Sequence, residues 1–198
     1  MQLLINTTSP YARIARIALA EKGLTEIATD VVDPWGDTPR LLAANPSARV
    51  PTLITDEGRP LTESLLILLW LEHERPLPSL LGSDATSVLA RAGIAMGVID
   101  AAVHTIIGRK MTDASFDDSP VGLRRRRTMM EGLSRLEADP PQQARTAPTI
   151  DAITAVVAVD YIDFRFPKAV WLPKFPKLRD LAACLASRPS FEASKPYT

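Results

Sequence analysis

The chain of 198 residues carries 23 basic and 23 acidic side chains, so its formal net charge is zero. A dedicated nucleic-acid-binding protein normally presents a basic face, and this charge balance argues against that class. One cysteine, Cys184, and two histidines exclude an internal disulfide framework and a zinc cluster built from Cys and His. A lone cysteine also suits a reducing compartment. We therefore expect a cytoplasmic protein with no metal.

The first residues lack the basic start and long apolar centre of a signal peptide. No segment offers 18 uncharged apolar residues, which is the length that spans a bilayer. We expect no membrane segment.

The first third of the chain alternates short strands and helices. Residues Gln2–Asn6 form an apolar run typical of a buried strand, and Ser9-Pro10 is a helix start that leads to a stop at Gly23. A second strand is predicted at Glu26–Val32, and a short helix at Pro39–Ala44. Strand, helix and strand in this order indicate a parallel crossover.

A hairpin follows, with predicted strands at Thr52–Thr55 and Arg59–Leu61 around the turn Asp56-Glu57-Gly58. Thr62-Glu63-Ser64 then begins another helix. A parallel crossover and an antiparallel hairpin both fit a mixed four-stranded sheet with helices on its faces.

Beyond a proline-rich linker at Arg75–Gly82, every long segment has helical periodicity. The predicted helices are a long one ending near Met111, one beginning at Ser119-Pro120, an apolar one at Ile150–Phe164 and one at Leu178–Ala186. The apolar third helix is expected at the centre of its domain. We predict an α/β domain at residues 1–76 and an all-helical bundle at residues 84–198.

Four segments resemble the cytosolic glutathione transferase family, in the bacterial type that has serine at the active-site position. They are SPYARIARIALAEKGL (Ser9–Leu24), NPSARVPTLITDEGRPLTES (Asn45–Ser64), DAAV (Asp100–Val103) and FPKLRDLAACLASRPSF (Phe175–Phe191). Their order and spacing cover nearly the whole chain. The resemblance implies a thioredoxin-like domain that binds glutathione and a helical domain that contributes the site of a second substrate. It also implies a homodimer.

Glutathione is an anionic tripeptide whose thiol, with a pKa near ~8.5, must ionise before it reacts. In the family, a hydroxyl at the position of Ser9 donates a hydrogen bond to the thiolate. The alternative is that Ser9 only caps the helix, although a hydroxyl can accept one hydrogen bond and donate another. Thr7, Thr8 and Tyr11 are nearby hydroxyls that could take this role instead.

The resemblance also assigns residues to glutathione binding. Val50 precedes Pro51 through a bond that the family holds in the cis form, which exposes the valine backbone to the ligand like an added strand. Ser64 suits the γ-glutamyl carboxylate and Glu63 the ammonium group. The alternative is a plain helix cap, in which Thr62 or Ser64 satisfies the free amides.

Three further residues are assigned with an ordinary alternative beside each. Arg49 could meet a ligand carboxylate or be a solvated arginine, and Trp35 could line the glycine end of glutathione or serve packing. Asp100 could reach across the dimer to the ligand's amine or be a surface aspartate. The run Arg124–Arg127 spans all sides of a helical turn, so we expect a solvated surface there.

The predicted function is conjugation of the glutathione thiolate to an electrophilic, hydrophobic small molecule. A glutathione-dependent peroxidase or reductase is an alternative, and a non-catalytic protein that binds glutathione or hydrophobic ligands is another. Serine rather than cysteine at position 9 argues against thiol-disulfide exchange through the protein. The residues that select the second substrate are not fixed in the family, so the sequence leaves that substrate open.

One segment departs from the family pattern. The apolar helix usually begins with Ser or Thr and an acid three residues later, which together form a capping box. Here Thr149 is followed by Asp151 after two positions, and Ala152 occupies the acid's place.

Overall fold

The computed structural model describes residues 1–142 and 147–196. Four strands form one mixed sheet in the order β2-β1-β3-β4: β1 is Gln2–Ile5, β2 is Ala28–Val31, β3 is Thr52–Ile54 and β4 is Pro60–Thr62. Strand β1 pairs with β2 in parallel and with β3 in antiparallel orientation, and β3 pairs with β4 in antiparallel orientation. The predicted mixed four-stranded sheet is confirmed.

Three helices accompany this sheet: α1 is Pro10–Glu21, α2 is Pro39–Ala44 and α3 is Ser64–Glu74. In α1 the predicted apolar stripe is buried, with Ile14, Ile17 and Ala18 fully covered. Gly23 ends this segment at a φ of 76°, a left-handed conformation that glycine adopts without a Cβ penalty. Helices α1 and α3 pack against each other.

The register aligns the strand ends that matter for function. Leu4 of β1 pairs with Thr52 of β3, and Thr52 pairs with Thr62 of β4. Because β1 and β4 both run antiparallel to β3, they point the same way, and β2 points with them. The segments that follow β1, β2 and β4 therefore leave the sheet at one end, which is also where β3 begins. We call this end the site edge.

The far ends of α1 and α3 are joined by a buried polar cluster. The Lys22 side chain is 0% exposed, and its Nζ donates to Glu72 Oε2 at 2.6 Å, to the Arg75 carbonyl at 2.6 Å and to the Pro78 carbonyl at 2.7 Å. Glu72 also accepts from the Ser79 hydroxyl at 2.6 Å. All three ammonium donors are used, which makes burial of the charge tolerable.

The carboxyl-terminal segment that begins at Arg188 belongs to the same unit as residues Met1–Leu80, and Leu81–Ser187 forms a second unit. The segment from Arg188 contains the short helix α8, Pro189–Glu192. Its Arg188 donates to the Glu21 carboxylate through two nitrogen–oxygen contacts of 2.9 and 2.7 Å. The predicted second domain, residues 84–198, included this segment. The difference arises because contacts with α1 are long-range and leave no local pattern in the sequence.

The second unit contains four α-helices in its described part: α4 is Ala85–Met111, α5 is Pro120–Ala138, α6 is Ile150–Arg165 and α7 is Pro176–Ala186. Helix α4 packs against α5 and α6. At Gly132 of α5, an added Cβ would lie 2.4 Å from Val98 Cγ2 of α4, so only glycine permits this approach. Helix α6 is buried along nearly its whole length, which confirms its predicted central position. A 3-10 helical turn at Ala114–Asp118 was not predicted.

Helix α4 is long and apolar enough to cross a membrane if only length and composition are considered. The sequence did not predict a membrane-spanning helix here, because Arg91 and Asp100 interrupt the apolar run. Core helices of folded domains meet the same criterion, and α4 buries Val98 and Ile99 where it packs within its unit.

The departure at the start of α6 has a structural explanation. The Thr149 hydroxyl makes no capping bond to a backbone amide but donates to the Asp151 carboxylate. Asp151 accepts from the Ala152 amide at 2.9 Å and from Arg91 Nε of α4 at 2.7 Å. The acid is therefore one residue early because it serves both as the cap and as the buried partner of Arg91.

Candidate site at the edge of the sheet

The site edge collects most of the residues that the sequence assigned to glutathione. Ser9 follows β1, Trp35 follows β2, Val50 precedes β3, and Glu63 with Ser64 follows β4. These positions are far apart in sequence, and the strand directions bring them to one end of the sheet. The starts of α1 and α3 lie at this end, so their free amides and positive dipole ends favour an anionic ligand there.

Ser9 is the N-cap of α1, and its Oγ accepts from the Ala12 amide at 3.2 Å. Accepting uses a lone pair and leaves the hydroxyl proton for another acceptor. The neighbouring Thr8 differs, because its hydroxyl donates to Asn6 Oδ1 at 3.0 Å. Of these two hydroxyls, only that of Ser9 can still donate a hydrogen bond to a ligand, because that of Thr8 already donates to Asn6.

The loop before β3 is held by Asn45, a role that was not predicted. Asn45 Nδ2 donates to the Arg49 carbonyl at 3.0 Å, and Asn45 Oδ1 accepts from the Ser47 amide at 3.0 Å. The Val50–Pro51 bond is cis, which confirms the expectation. A second cis bond, Leu77–Pro78, was not predicted. The dipeptide Asn45-Pro46 was the one available sequence signal, since asparagine commonly bonds the backbone two residues on.

Glu63 occupies an unusual backbone conformation at the start of α3. Its φ is 65° and its ψ is 118°. This backbone conformation is energetically unfavourable for any residue that has a Cβ atom. The carboxylate is exposed and lies 3.8 Å from Arg49 Nη1. Glu63 occupies the N-cap position of α3, and its side chain makes no capping hydrogen bond among the described residues.

Ser64, the first residue of α3, has a side chain that is almost fully enclosed. It is 2% exposed, and its Oγ is buried without a hydrogen-bond partner in the part of the chain that the structure describes. Buried hydroxyls normally have a partner, because an unsatisfied one costs about 1–3 kcal/mol. An unsatisfied hydroxyl beside the free amides of a helix start is suited to a ligand acceptor.

Arg49 and Trp35 both lie at the surface. Trp35 is 52% exposed, and its backbone amide donates to Asp33 Oδ1 at 2.9 Å. An aromatic side chain with half of its surface exposed contributes little to a core, so packing alone does not account for Trp35. The Arg49 guanidinium contacts Glu63 and otherwise projects to the surface.

Asp100 lies on α4 in the second unit and is half-buried. Its backbone carbonyl lies 2.7 Å from His104 Nδ1. In the arginine run, Arg126 stacks over the Trp171 ring at 5.6 Å and lies 3.7 Å from Asp118. Among residues 1–142 and 147–196, no group of three or more His, Cys, Asp or Glu side chains is placed to hold a metal ion.

Comparisons with known proteins agree with this geometry. The family model for "Glutathione S-transferase, N-terminal domain" matches residues 8–74. Maleylacetoacetate isomerase of Pseudomonas aeruginosa is 28% identical, over 96% of this chain and 92% of that protein.

Two solved structures are similar over the full chain. A glutathione S-transferase from Methylobacterium radiotolerans JCM 2831, in complex with glutathione sulfonate, has a TM-score of 0.89 and 33% identity, and the match covers 100% of this chain and 95% of that one. A glutathione transferase family member from Pseudomonas fluorescens Pf-5 with bound glutathione has a TM-score of 0.89 and 27% identity, covering 100% and 99%. The mixed sheet, the matching N-terminal model and these full-length similarities lead to one conclusion: this chain belongs to the glutathione S-transferase family.

Proposed function

We propose that this protein binds glutathione at the site edge and conjugates its thiolate to an electrophilic, hydrophobic small molecule. The buried Ser64 hydroxyl without a described partner is the observation that carries the proposal. A polar atom kept in this state is satisfied when a ligand supplies the missing acceptor. The glutathione or glutathione sulfonate held by the two solved relatives is a ligand of the required kind.

Each part of glutathione has a counterpart at the site edge. The γ-glutamyl carboxylate takes the Ser64 hydroxyl and the free amides at the start of α3, and Glu63 takes the adjacent ammonium group. The Val50 backbone pairs with the peptide of the ligand as an added strand would. Trp35 contacts the glycine end, and Arg49 meets a carboxylate of the ligand.

Ser9 activates the thiol in this proposal. Lowering a thiol pKa by ~2 units requires ~2.7 kcal/mol in favour of the thiolate, at 1.36 kcal/mol per unit. A hydrogen bond to a charged acceptor supplies ~1.5–3 kcal/mol, and a helix start adds ~0.3–1 kcal/mol. The Ser9 hydroxyl and the start of α1 together are sufficient.

Isomerisation is a second candidate, favoured by the similarity to maleylacetoacetate isomerase over nearly the whole chain. In that chemistry the thiolate adds to a conjugated double bond, the carbon–carbon bond rotates, and elimination returns free glutathione. Conjugation consumes one glutathione per product, whereas isomerisation consumes none. Measuring glutathione loss beside product formation separates the two reactions.

The binding proposal is tested by titrating glutathione in a calorimeter. Ser64→Ala should weaken binding by ~1–3 kcal/mol because the ligand carboxylate loses a donor. Ser119→Ala is the matched control, since Ser119 also begins a helix but its Oγ already caps the Gly122 amide. Ser9→Ala should leave affinity nearly intact, raise the thiol pKa measured by ultraviolet thiolate absorbance, and lower turnover ~10–100-fold at neutral pH. Equal affinity for the native protein and Ser64→Ala would reject the carboxylate assignment.

We also propose a cytoplasmic homodimer. Helix α3 supports it, because Leu66 is 59% exposed and Leu69 40% exposed on a helix whose other face is buried. Leu66 and Leu69 are three residues apart on the helix and so lie side by side, and contiguous exposed apolar side chains can mark an association surface. Light scattering should give twice the 21.6 kDa chain mass, and Leu66→Glu should shift it towards 21.6 kDa. Leu77→Glu, at an exposed position outside the helices, is the control that should leave the mass unchanged.

A further inference from the structure

Asn6 lies between β1 and α1 and organises the turn that presents Ser9. Its backbone carbonyl accepts from the Ser9 amide at 3.1 Å. Its side-chain Oδ1 accepts from the Thr8 amide at 3.1 Å and from the Thr8 hydroxyl at 3.0 Å. The orientation of the Asn6 amide follows from these contacts, because a backbone N–H can only face the oxygen.

These bonds treat the two neighbouring hydroxyls differently. The single hydroxyl proton of Thr8 is directed at Asn6 Oδ1. The Ser9 hydroxyl accepts from the Ala12 amide at 3.2 Å, so its own O–H can still donate to another group. The Asn6 side chain therefore occupies the Thr8 hydroxyl as a donor, and the Asn6 carbonyl holds the backbone of Ser9 in place.

We propose that Asn6 is a positioning residue that selects Ser9, rather than Thr8, as the donor to the glutathione thiolate. The inference rests on the proposed function. The buried Ser64 hydroxyl, which has no partner among residues 1–142 and 147–196, lies on a different helix at the same edge and independently points to a ligand at this end of the sheet.

The neutrality of Asn6 is part of this role. An aspartate at position 6 could accept the same two hydrogen bonds from Thr8, so the turn would keep its geometry. It would also place a negative charge on the side chain that bonds Thr8, the residue next to Ser9. A like charge near the sulfur disfavours ionisation of the thiol. Asparagine provides the acceptor without that opposing charge.

Asn6→Asp tests this directly. The thiol pKa of bound glutathione should rise by about one unit. Turnover at pH 7 should then fall about threefold, because a rise of the thiol pKa from about 6.5 to about 7.5 lowers the thiolate fraction from about three quarters to about one quarter. Turnover should recover as pH rises through the shifted pKa. The KM for glutathione should stay nearly unchanged. Gln2→Glu is the matched control, because it adds the same charge at the opposite end of β1. A purely structural role for Asn6 would not shift the pH profile.

The choice between hydroxyls is tested in two backgrounds. In the native background, Thr8→Val should keep turnover within about threefold, whereas Ser9→Ala lowers it ~10–100-fold. Asn6→Ala releases the Thr8 hydroxyl, so Ser9→Ala should cost less than about fivefold in that background. If Asn6→Ala does not fold, Asn6→Asp and Thr8→Val still decide the matter.

The outcomes separate this inference from the function on which it rests. Loss of turnover in Thr8→Val equal to that in Ser9→Ala would overturn the selection of Ser9. Native binding with a lowered thiol pKa that Asn6→Asp leaves unshifted would overturn the role of Asn6 alone. No glutathione binding by the native protein would overturn both. A shift in Asn6→Asp that is absent in Gln2→Glu supports the proposal.

Discussion

The helices of the two units begin in different ways. The described part of the second unit contains four α-helices. At the start of each of them, at least one backbone amide donates a hydrogen bond to a side-chain oxygen. Asp84 accepts from Ser87 at 3.1 Å, Ser119 from Gly122 at 3.0 Å, Asp151 from Ala152 at 2.9 Å, and Glu137 from Lys177 and Leu178 at 3.0 and 3.1 Å. These bonds satisfy donors that would otherwise be left unpaired.

The first unit caps α1 through Ser9, but among the described residues no side-chain oxygen accepts from an amide at the start of α2 or α3. At α3 the residue before the helix, Glu63, has a φ of 65°, and the first helical residue, Ser64, has a buried hydroxyl without a described partner. The difference indicates that the helices of the second unit begin in a way that favours stability. The start of α3 costs stability, because it has a strained residue and an unsatisfied hydroxyl, and both lie at the proposed glutathione site.

The first unit obtains stability elsewhere. The buried cluster around Lys22 and Glu72 ties the far ends of α1 and α3 together, away from the site edge. The stabilising cluster and the proposed glutathione site therefore lie at opposite ends of α1 and α3.

The largest expected effect comes from removing the anionic partner of Lys22. Glu72→Ala should lower the free energy of unfolding by about 3 kcal/mol, because a fully buried ammonium loses its carboxylate. The urea midpoint measures this effect. Glu74→Ala, an exposed position two residues later on the same helix, should change it little. An equal loss in the two variants would mean that the far ends do not stabilise the first unit in this way.

The same cluster predicts a direction for the pH dependence. Burial raises the pKa of Glu72, but hydrogen bonds from Lys22, Ser79 and Leu80 outweigh burial and hold the pKa below the usual glutamate value. A carboxyl whose folded-state pKa is lowered contributes its full stability above its unfolded pKa, about 4.3, and loses it as pH falls through the folded value. The stability difference between the native protein and Glu72→Ala should therefore shrink on acidification through that range.

Two serine substitutions compare the helix starts directly. Ser119→Ala should destabilise the ligand-free protein by about 1 kcal/mol, because a capping bond is lost. Ser64→Ala should leave its stability unchanged or raise it by up to about 1 kcal/mol, because an unsatisfied buried hydroxyl is removed. Thermal unfolding without glutathione measures both. A loss in Ser64→Ala as large as in Ser119→Ala would show that the two helices begin alike.

Backbone conformation gives the smallest effect and the opposite sign in the two units. Glu63→Gly should stabilise the ligand-free protein by about 0.5–1 kcal/mol, because glycine adopts a positive φ without a Cβ penalty. Asp84→Gly, at a helix start with a φ of −125°, should destabilise by a few tenths of a kcal/mol through loss of its cap. Denaturant midpoints of the two variants test the contrast, and destabilisation by Glu63→Gly would contradict it.

Local chemistry explains what could be predicted. The helix start at Ser9-Pro10, the hairpin around Gly58 and the apolar helix from Ile150 each depend on neighbouring residues, and the structure has them where the sequence predicted. Candidate ligand residues came from the family resemblance, and the structure places five of them at the site edge. Their roles remain predictions until the variants above are measured.

The sequence by itself determined the order of strands and helices, because periodicity, caps and turns act over a few residues. Only the tertiary structure decided that the segment from Arg188 joins the first unit through Glu21 and that Lys22 is a buried ion. It also decided that the Thr8 hydroxyl donates to Asn6 and that the Ser64 hydroxyl has no described partner. Most of these features depend on contacts between residues distant in the chain. The partners of Asn6 are near in sequence. Which hydroxyl is still able to donate a hydrogen bond nevertheless depends on the directions of the bonds in the folded turn.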